Sequence, residues 1–179
     1  SEVVDYSAFE NEGCYLEGTG SLVLDHVNNI AYVALSNRSS PRMVERFASD
    51  FDYEPVIFTS IGPDGRPIYH TNVMMCIGTD FALAGLETIA DKTARKRVRE
   101  RLERSGKEIV ELSAEQIANF AGNAIELRNR RDEKLLVLST RAAGALTAEQ
   151  RERLSNYLRF IALPLSTIEL GGGSARCMM

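Results

Sequence analysis

The sequence EGTGSLVL at residues 17–24 places a polar residue just before a short apolar run. The same pattern returns in three later stretches: HTNVMMCI at 70–77, GNAIEL at 122–127 and GGGSARCMM at 171–179. Glu17, His70, Asn123 and Cys177 mark the four stretches at intervals of 53, 53 and 54 residues. A fixed period of this length indicates repeated structural units. If the units pack around an axis, an acid, a histidine and a cysteine converge, as in a thiol active site.

The repeat divides the chain into units of about 17–69, 70–122 and 123–170, and a fourth unit is predicted to start within 166–179. Each full unit has the order strand, strand, helix, strand. The predicted strands cover residues 21–25, 30–35, 55–61, 72–77, 81–85, 107–112, 124–128, 134–139 and 159–163. The predicted helices cover residues 41–51, 91–104, 140–146 and 147–158, with an extra helix at 114–120.

Strands this short cannot form a core alone, so the units are expected to stack with their helices outside. The predicted fold is an α/β propeller-like ring, or part of one, in a single domain over residues 1–179. Three units would leave sheet edges open. We therefore expect the chain to be a fragment of a longer protein.

The composition excludes several classes of protein. The net charge of −4 gives no general attraction for nucleic acid or an anionic membrane. No apolar stretch is long enough to span a bilayer. Three cysteines without a close pair favour a reducing compartment, the cytoplasm, and with two histidines and no CxxC or HExxH pattern no metal is expected. The basic residues between 92 and 107 predict a solvated helix face, because glutamates interrupt them.

Cys177 is the candidate nucleophile. It follows three glycines, which let the backbone approach a ligand closely, and Arg176 would favour the thiolate if it points inward. The alternative is a buried structural cysteine after a flexible loop, which the equivalent spacing of His70 and Glu17 makes less attractive. Cys76 alternates within an apolar strand and is predicted to be core, whereas Cys14 lies in a polar connector.

His70 is the candidate general acid and base, which protonates the leaving amine and then activates water. Glu17 would orient His70 and stabilise its imidazolium form. The alternatives are a structural histidine where a turn meets a strand and a surface glutamate before a turn. His26 lies in a turn between strands and is expected to be exposed.

The four stretches, extended to LEGTGSLVLD, HTNVMMCIG, GNAIELR and GGGSARCM, resemble the guanidino-modifying superfamily. Its members include arginine deiminase, dimethylarginine dimethylaminohydrolase and the amidinotransferases, and they share a five-unit pentein ring. The chain is most similar to the arginine deiminase-related, or citrulline hydrolase, branch. The resemblance covers essentially the whole chain but about three of the five ββαβ units, which implies a C-terminal fragment.

The resemblance implies roles for particular residues. Cys177 matches the family nucleophile, His70 the family histidine and Glu17 the family acid. The implied chemistry is attack by the cysteine on the central carbon of a guanidino or ureido group of a small amino-acid substrate, without a metal or organic cofactor. The predicted substrate contacts are Gly18, Thr19, Asn72, Asn123 and Arg176.

Two departures from the family pattern concern charge. Asn72 stands where deiminases commonly have an aspartate that holds a cationic guanidinium, and residues 17–20 read EGTG instead of EGGD. Both changes remove negative charge, so a neutral ureido substrate such as citrulline is expected.

Two alternatives stay open. One is a deiminase or amidinotransferase that acts on a cationic guanidino substrate, and the other is an inactive fragment or scaffold. The sequence does not decide whether copies of the chain form a homo-oligomer.

Overall fold

The structure, a computed structural model, describes residues 3–178. Its nine strands form three separate three-stranded sheets. In each sheet the middle strand pairs antiparallel with the strand before it and parallel with the strand after it. The strands are β1 (Val23–Asp25), β2 (Ile30–Ala34), β3 (Glu54–Phe58), β4 (Met75–Ile77), β5 (Phe81–Ala84), β6 (Glu108–Glu111), β7 (Ile125–Arg128), β8 (Lys134–Ser139) and β9 (Arg159–Leu163).

Helices fill the connection between each pair of parallel strands, as such crossovers require. The helices are α1 (Gly18–Ser21), α2 (Pro41–Phe51), α3 (Lys92–Arg104), α4 (Ala114–Ala118), α5 (Thr140–Ala145), α6 (Ala148–Ser155) and α7 (Ser166–Glu169). All three sheets therefore have the predicted order strand, strand, helix, strand, which confirms the fold class. The three sheets do not close into a ring within residues 3–178.

Local sequence explains where the longer helices begin and end. Pro41 occupies the first turn of α2, where its missing N–H costs nothing, and Asp52 ends that helix in the left-handed conformation with φ of 56°. Asp91 caps α3 by accepting a hydrogen bond from the Ala94 N–H at 2.7 Å. Arg101 on α3 forms an ion pair with Glu54 of β3, which ties this basic helix to the first sheet.

The inner strands of the three sheets face one another: β1 packs against β4, and β4 packs against β7. Every residue of β2 and of β5 is fully buried, whereas β7 and β9 are half-buried. Cys76 on β4 is completely buried, as the sequence predicted, and His26 is exposed in the turn between β1 and β2. The first two sheets thus share a dry interior, and the third is more open.

A buried ion pair joins the first two sheets. Lys107 Nζ lies 3.2 Å from Asp25 Oδ1, and both side chains are inaccessible to solvent. The ammonium also donates to the carbonyl oxygens of Gly78 and Thr79 at 3.0 and 2.8 Å. Thr79 in turn donates through its N–H and its hydroxyl to Glu126 on β7. This chain of contacts connects all three sheets at one end of the inner strands.

Six predicted segments differ from the structure by two residues or more. The strand 55–61 ends at Phe58, the helix 114–120 at Ala118 and the helix 147–158 at Ser155. Residues 18–21 form the helical turn α1, so the first strand begins at Val23 and not at 21. Thr71–Val73 is a 3₁₀ turn, so β4 begins at Met75 and not at 72. The segment 166–170, predicted to open a fourth unit, contains α7, because Leu165 and Glu169, four residues apart, both turn inward. Residues 1, 2 and 179, which the predicted domain includes, lie outside the described residues.

None of the helices within residues 3–178 combines the length and the apolar character that a membrane crossing requires.

Candidate active site

Glu17 and His70 form the acid–histidine pair that the repeat suggested. Glu17 stands immediately before α1, and His70 precedes the 3₁₀ turn that leads into β4. His70 Nε2 lies 2.7 Å from Glu17 Oε2. With a proton on Nε2 donated to the carboxylate, Nδ1 is the nitrogen that can accept a proton. The histidine side chain is 15% exposed and the glutamate side chain 46%, so the pair opens to solvent on the glutamate side.

Buried hydroxyl groups hold this pair in place, and sequence reasoning missed them. The Thr71 hydroxyl donates to the Ser21 carbonyl oxygen at 2.6 Å and accepts from the Ala34 N–H at 2.8 Å. The Ser21 hydroxyl accepts from the Glu17 N–H at 3.2 Å. Thr71 thereby fixes the turn that carries Glu17 against the segment that carries His70. The available signal was a small hydroxyl residue directly after the histidine.

Gly20 packs directly against the His70 ring. A Cβ at this position would lie 2.6 Å from His70 Nδ1, closer than real contacts allow. A glycine is therefore needed here because the imidazole lies against the backbone of α1, and not because of an unusual backbone angle.

Cys177 lies in a short 3₁₀ turn, Arg176–Met178, and is exposed. Its sulfur accepts hydrogen bonds from Asn123 Nδ2 at 3.1 Å and from Asn72 Nδ2 at 3.6 Å. The Asn123 Oδ1 accepts from the Arg176 and Cys177 N–H groups at 3.2 and 3.4 Å. Both asparagine side chains belong to buried residues. The two amides join the cysteine turn to the starts of β4 and β7.

Asn72 keeps one polar atom unused. Its Oδ1 is buried and has no hydrogen-bond partner within residues 3–178. A buried acceptor of this kind costs free energy unless a donor reaches it. The other end of the same amide contacts the Cys177 sulfur, so Asn72 lies directly beside the thiol.

Two side-chain hydrogen bonds anchor the glycine segment before Cys177. The Ser174 hydroxyl donates to Glu169 Oε1 at 2.9 Å, and both residues are buried. The Tyr69 hydroxyl donates to the Gly172 carbonyl oxygen at 2.9 Å. The pKa of Tyr69 is raised, chiefly because burial disfavours the phenolate and further because the Cys177 thiolate repels it. Tyr69 and Cys177 are thus close enough to interact electrostatically.

The structure therefore brings Glu17, His70, Asn72, Asn123 and Cys177 to one end of the inner strands. A family model described as N,N dimethylarginine dimethylhydrolase, eukaryotic, matches residues 1–179. The chain belongs to this family.

Solved structures support the pentein fold of this family member. ArgZ, an arginine dihydrolase from the ornithine-ammonia cycle in cyanobacteria, superposes with a TM-score of 0.71 at 20% identity, over 91% of this chain and 23% of that one. The N-terminal domain of ArgZ bound to product gives 0.71 at 20% identity, over 91% and 55%. AgrE in complex with ornithine and NAD+ gives 0.73 at 16% identity, over 91% and 22%.

The chain thus spans less than a quarter of full-length ArgZ and AgrE and about half of the N-terminal domain of ArgZ. At these identities the likeness concerns the fold alone. No curated protein sequence matches the chain.

Three predicted substrate contacts are placed less tightly in this family member. Gly18 and Thr19 are exposed in α1, beside Glu17, and the Thr19 hydroxyl has no hydrogen-bond partner within residues 3–178. The Arg176 side chain makes no hydrogen bond to the Cys177 sulfur; its Nε is buried without a partner within residues 3–178. Its charge acts on Cys76, whose pKa is nevertheless raised to about 11, because burial outweighs the guanidinium.

Arg38 is a site residue that sequence reasoning missed. Its Nη1 lies 3.3 Å from Glu17 Oε2, the same oxygen that pairs with His70. Its guanidinium carbon stands 5.1 Å from the centre of the Tyr69 ring, within the range of a cation–π contact. Arg38 lies outside the 53-residue pattern, so the repeat carried no signal for it.

An apolar cavity of about 450 Å³ adjoins the site. It shares Tyr69, Asn123 and Gly172 with the groups described above, and Val73 and Phe120 contribute to its wall. Its volume is in the range of small-molecule sites.

Proposed function

We propose that the protein is a cysteine-dependent hydrolase that breaks a C–N bond of a ureido or guanidino compound through a covalent thiol intermediate. The observation that carries this proposal is the exposed Cys177 sulfur, held by two buried amides at the same end of the strands as the Glu17–His70 pair. Family membership supports the same class of chemistry.

The reaction uses the three groups in sequence. The Cys177 thiolate attacks the central carbon of the substrate, and a C–S bond forms. His70 gives a proton to the leaving nitrogen, the C–N bond breaks, and an amine departs. A water molecule then attacks the same carbon while His70 takes its proton. The C–S bond breaks and the thiolate is restored. Glu17 stabilises the imidazolium form that His70 has before it protonates the leaving nitrogen and regains when it takes the proton from water.

Asn72 favours citrulline as the substrate. A cationic guanidinium in a desolvated pocket needs a carboxylate partner, and an uncompensated buried charge typically costs about 3–5 kcal/mol. Asn72 offers a neutral acceptor, Oδ1, which is buried and unpaired within residues 3–178. A ureido N–H can donate to that oxygen without bringing a charge. Arg38 at the rim, with its side chain 45% exposed, is a suitable partner for the carboxylate of an amino-acid substrate.

The family match favours a second candidate, hydrolysis of dimethylarginine, which the family description names. An arginine deiminase or an amidinotransferase would likewise act on a cationic guanidino group. Any of these substrates would need a carboxylate in the pocket. Glu17 is an acid of the thiol site, and it is already engaged by His70 and Arg38. An inactive scaffold would have no need of an exposed thiol beside an acid–histidine pair.

The test compares substrates in the full-length protein. Citrulline, arginine and dimethylarginine are offered separately, and the release of ammonia or dimethylamine is measured at steady state. We expect kcat/KM to favour citrulline by at least about tenfold, and Asn72→Asp to shift the preference towards arginine. A preference of the unmutated protein for arginine or dimethylarginine would show citrulline to be wrong.

The thiol mechanism has its own controls in the same assay. Cys177→Ala should abolish turnover of every substrate, and His70→Ala should lower kcat by orders of magnitude. Cys14→Ala is the matched control, because this half-buried thiol lies in the connector before α1 and should leave turnover unchanged. Full activity of Cys177→Ala would exclude the covalent mechanism whatever the substrate.

A further inference from the structure

The loop of three glycines before Cys177 is held firmly at its two ends. The buried Glu169 carboxylate, before the glycines, accepts from the Ser174 hydroxyl, which directly follows them. At the end, Asn123 accepts from the Cys177 N–H and donates to its sulfur. The glycines between these anchors are exposed or half-buried, and glycine has the largest backbone freedom of any residue. The path of the loop between these anchors, and with it the fine position of the thiol, therefore also depends on what restrains the middle of the loop.

Within residues 3–178, Tyr69 supplies the side-chain part of that restraint, beside backbone hydrogen bonds from the Gly171 and Gly172 N–H groups to the Ile168 and Glu169 carbonyl oxygens. Its hydroxyl donates to the carbonyl oxygen of Gly172, the middle glycine, which has a φ of +86°. No other side chain in the described part of the chain forms a hydrogen bond with the three glycines. Tyr69 is itself fixed, because its carbonyl oxygen accepts from the Ser36 hydroxyl at 2.7 Å.

The ring of Tyr69 contacts the other half of the site. It lies 5.0 Å from the His70 ring, centre to centre, at an angle of 55°. The Arg38 guanidinium stands 5.1 Å from the same ring, and Arg38 also bonds to Glu17. One side chain thus contacts the cysteine loop through its hydroxyl and the acid–histidine pair through its ring.

We propose that Tyr69 is a positioning residue, whose hydroxyl holds the glycine loop so that Cys177 faces a substrate carbon within reach of His70. This inference rests on the proposed thiol hydrolase. The sensitivity of the chemistry to distance makes such a restraint valuable, since a displacement of about 1 Å can cost about a hundredfold in rate. The ring has a separate part, which is to keep the His70 imidazole and Arg38 in place.

Two substitutions in the full-length protein separate these parts. Tyr69→Phe removes the hydroxyl and keeps the ring, whereas Tyr69→Leu removes both. Tyr53→Phe is the matched control, because it also removes a tyrosine hydroxyl that contacts a histidine, His26, at the far end of the strands. All three proteins are compared for kcat, KM, the pH profile of kcat/KM and amide hydrogen exchange of residues 169–177.

For Tyr69→Phe we expect kcat to fall about tenfold with KM within about twofold, and exchange in the loop to become about fivefold faster, as the loss of one hydrogen bond predicts. For Tyr69→Leu we expect a larger fall in kcat and a changed pH profile, because the ring that packs against His70 is lost as well. Tyr53→Phe should match the unmutated protein in all four measurements.

The inference is overturned if Tyr69→Phe keeps the kcat of the control, or if its loop exchanges at the control rate. Loop exchange does not depend on turnover, so it reports on the Tyr69 contact even if Cys177→Ala shows the thiol mechanism to be wrong.

Discussion

Two polar clusters stand at opposite ends of the inner strands and differ in how fully their groups are paired. The thiol cluster, at the start of the strands, consists of Glu17, His70, Asn72, Asn123 and Cys177. The lysine cluster, at the end of the strands, consists of Asp25, Asn28, Thr79, Lys107 and Glu126. Both are built from all three sheets, and both join segments about 50 residues or more apart in sequence.

The charged groups of the lysine cluster are fully hydrogen-bonded. The ammonium of Lys107 has three acceptors, and the Asp25 carboxylate accepts further hydrogen bonds from the N–H groups of Val27 and Asn28 and from Asn28 Nδ2. The thiol cluster instead leaves an acceptor on Asn72 unpaired within residues 3–178 and exposes the Cys177 sulfur. A saturated polar cluster holds a fold together, whereas an unsaturated one has capacity for a ligand.

The largest expected effect comes from the lysine cluster. Lys107→Met should lower the free energy of unfolding by about 3–5 kcal/mol, because the Asp25 carboxylate would stay buried without its counter-charge. Urea denaturation measures this change. Turnover per folded molecule should remain within about twofold, because the thiol cluster lies at the other end of the strands.

Two further variants make the stability prediction specific. Lys107→Met combined with Asp25→Asn should recover part of the loss, because the uncompensated charge is gone while the turn keeps an acceptor. Lys92→Met, at an exposed position of α3, should change stability by less than about 0.5 kcal/mol. If Lys107→Met lowers the free energy of unfolding by less than about 1 kcal/mol, the lysine cluster does not stabilise the fold in the way proposed.

The second prediction concerns the thiol cluster. Gly20→Ala should lower kcat/KM about a hundredfold, because the added methyl group displaces the His70 ring from its position against α1. The free energy of unfolding should change little, since alanine suits a helical turn. Steady-state kinetics and urea denaturation of the same sample separate the two effects.

Gly144→Ala in α5 provides the comparison for that variant. A Cβ there meets nothing within 4 Å, so the substitution should leave kcat/KM unchanged and stabilise the protein by about 0.5–1 kcal/mol. Equal activities of the two alanine variants would contradict the placement of the His70 ring.

The smallest expected effect concerns the burial of the Cys76 thiol on β4, between the two clusters. Burial raises the pKa of Cys76 from 9.0 to about 11. Well below pH 9 the Cys76 thiol is protonated in both the folded and the unfolded state, so it does not make the free energy of unfolding depend on pH. As the pH rises towards 11 the unfolded chain ionises first, and stability is lost. We expect a loss of about 1 kcal/mol between pH 8 and pH 10.

Urea denaturation at both pH values checks this prediction against Cys76→Ala, in which that part of the loss should disappear, and against Cys177→Ala, in which it should persist. The measurements stop at pH 10 because burial raises the pKa of Tyr32 from 10.0 to about 12. Above pH 10 the ionisation of this tyrosine in the unfolded chain would lower the stability further. An unchanged pH dependence in Cys76→Ala would indicate that water reaches β4.

Most of the fold could be predicted from the sequence, because the residues that begin and end its helices and strands are local signals. The predicted helix 41–51 and the strands 134–139 and 159–163 agree with α2, β8 and β9 to the residue. Segments at the site were less predictable. Residues 18–21 and 71–73 form helical turns because Ser21 and Thr71 satisfy one another across 50 residues. A contact between residues so far apart cannot be predicted from the local sequence around either of them.

The spacing of the repeat predicted which elements converge, and the roles of the converging residues stay predictions. The repeat could not indicate the direction of a long side chain. Arg176, a predicted substrate contact, has a buried Nε without a partner within residues 3–178, and Arg38, absent from the pattern, bonds to the Glu17 carboxylate. Arginine has enough rotatable bonds that only the surrounding packing decides where its charge lies.

The order of the site residues along the chain bears on how the protein is made. Glu17 and His70 belong to the first two sheets, whereas Cys177 follows β9 and contacts Asn72 across 105 positions of the sequence. Chains are synthesised from the N-terminus, and folding can begin before synthesis ends. The sheets can therefore form before the thiol emerges from the ribosome. The nascent chain then already has Glu17 paired with His70, and the Cys177 sulfur is added to sheets that have formed before it.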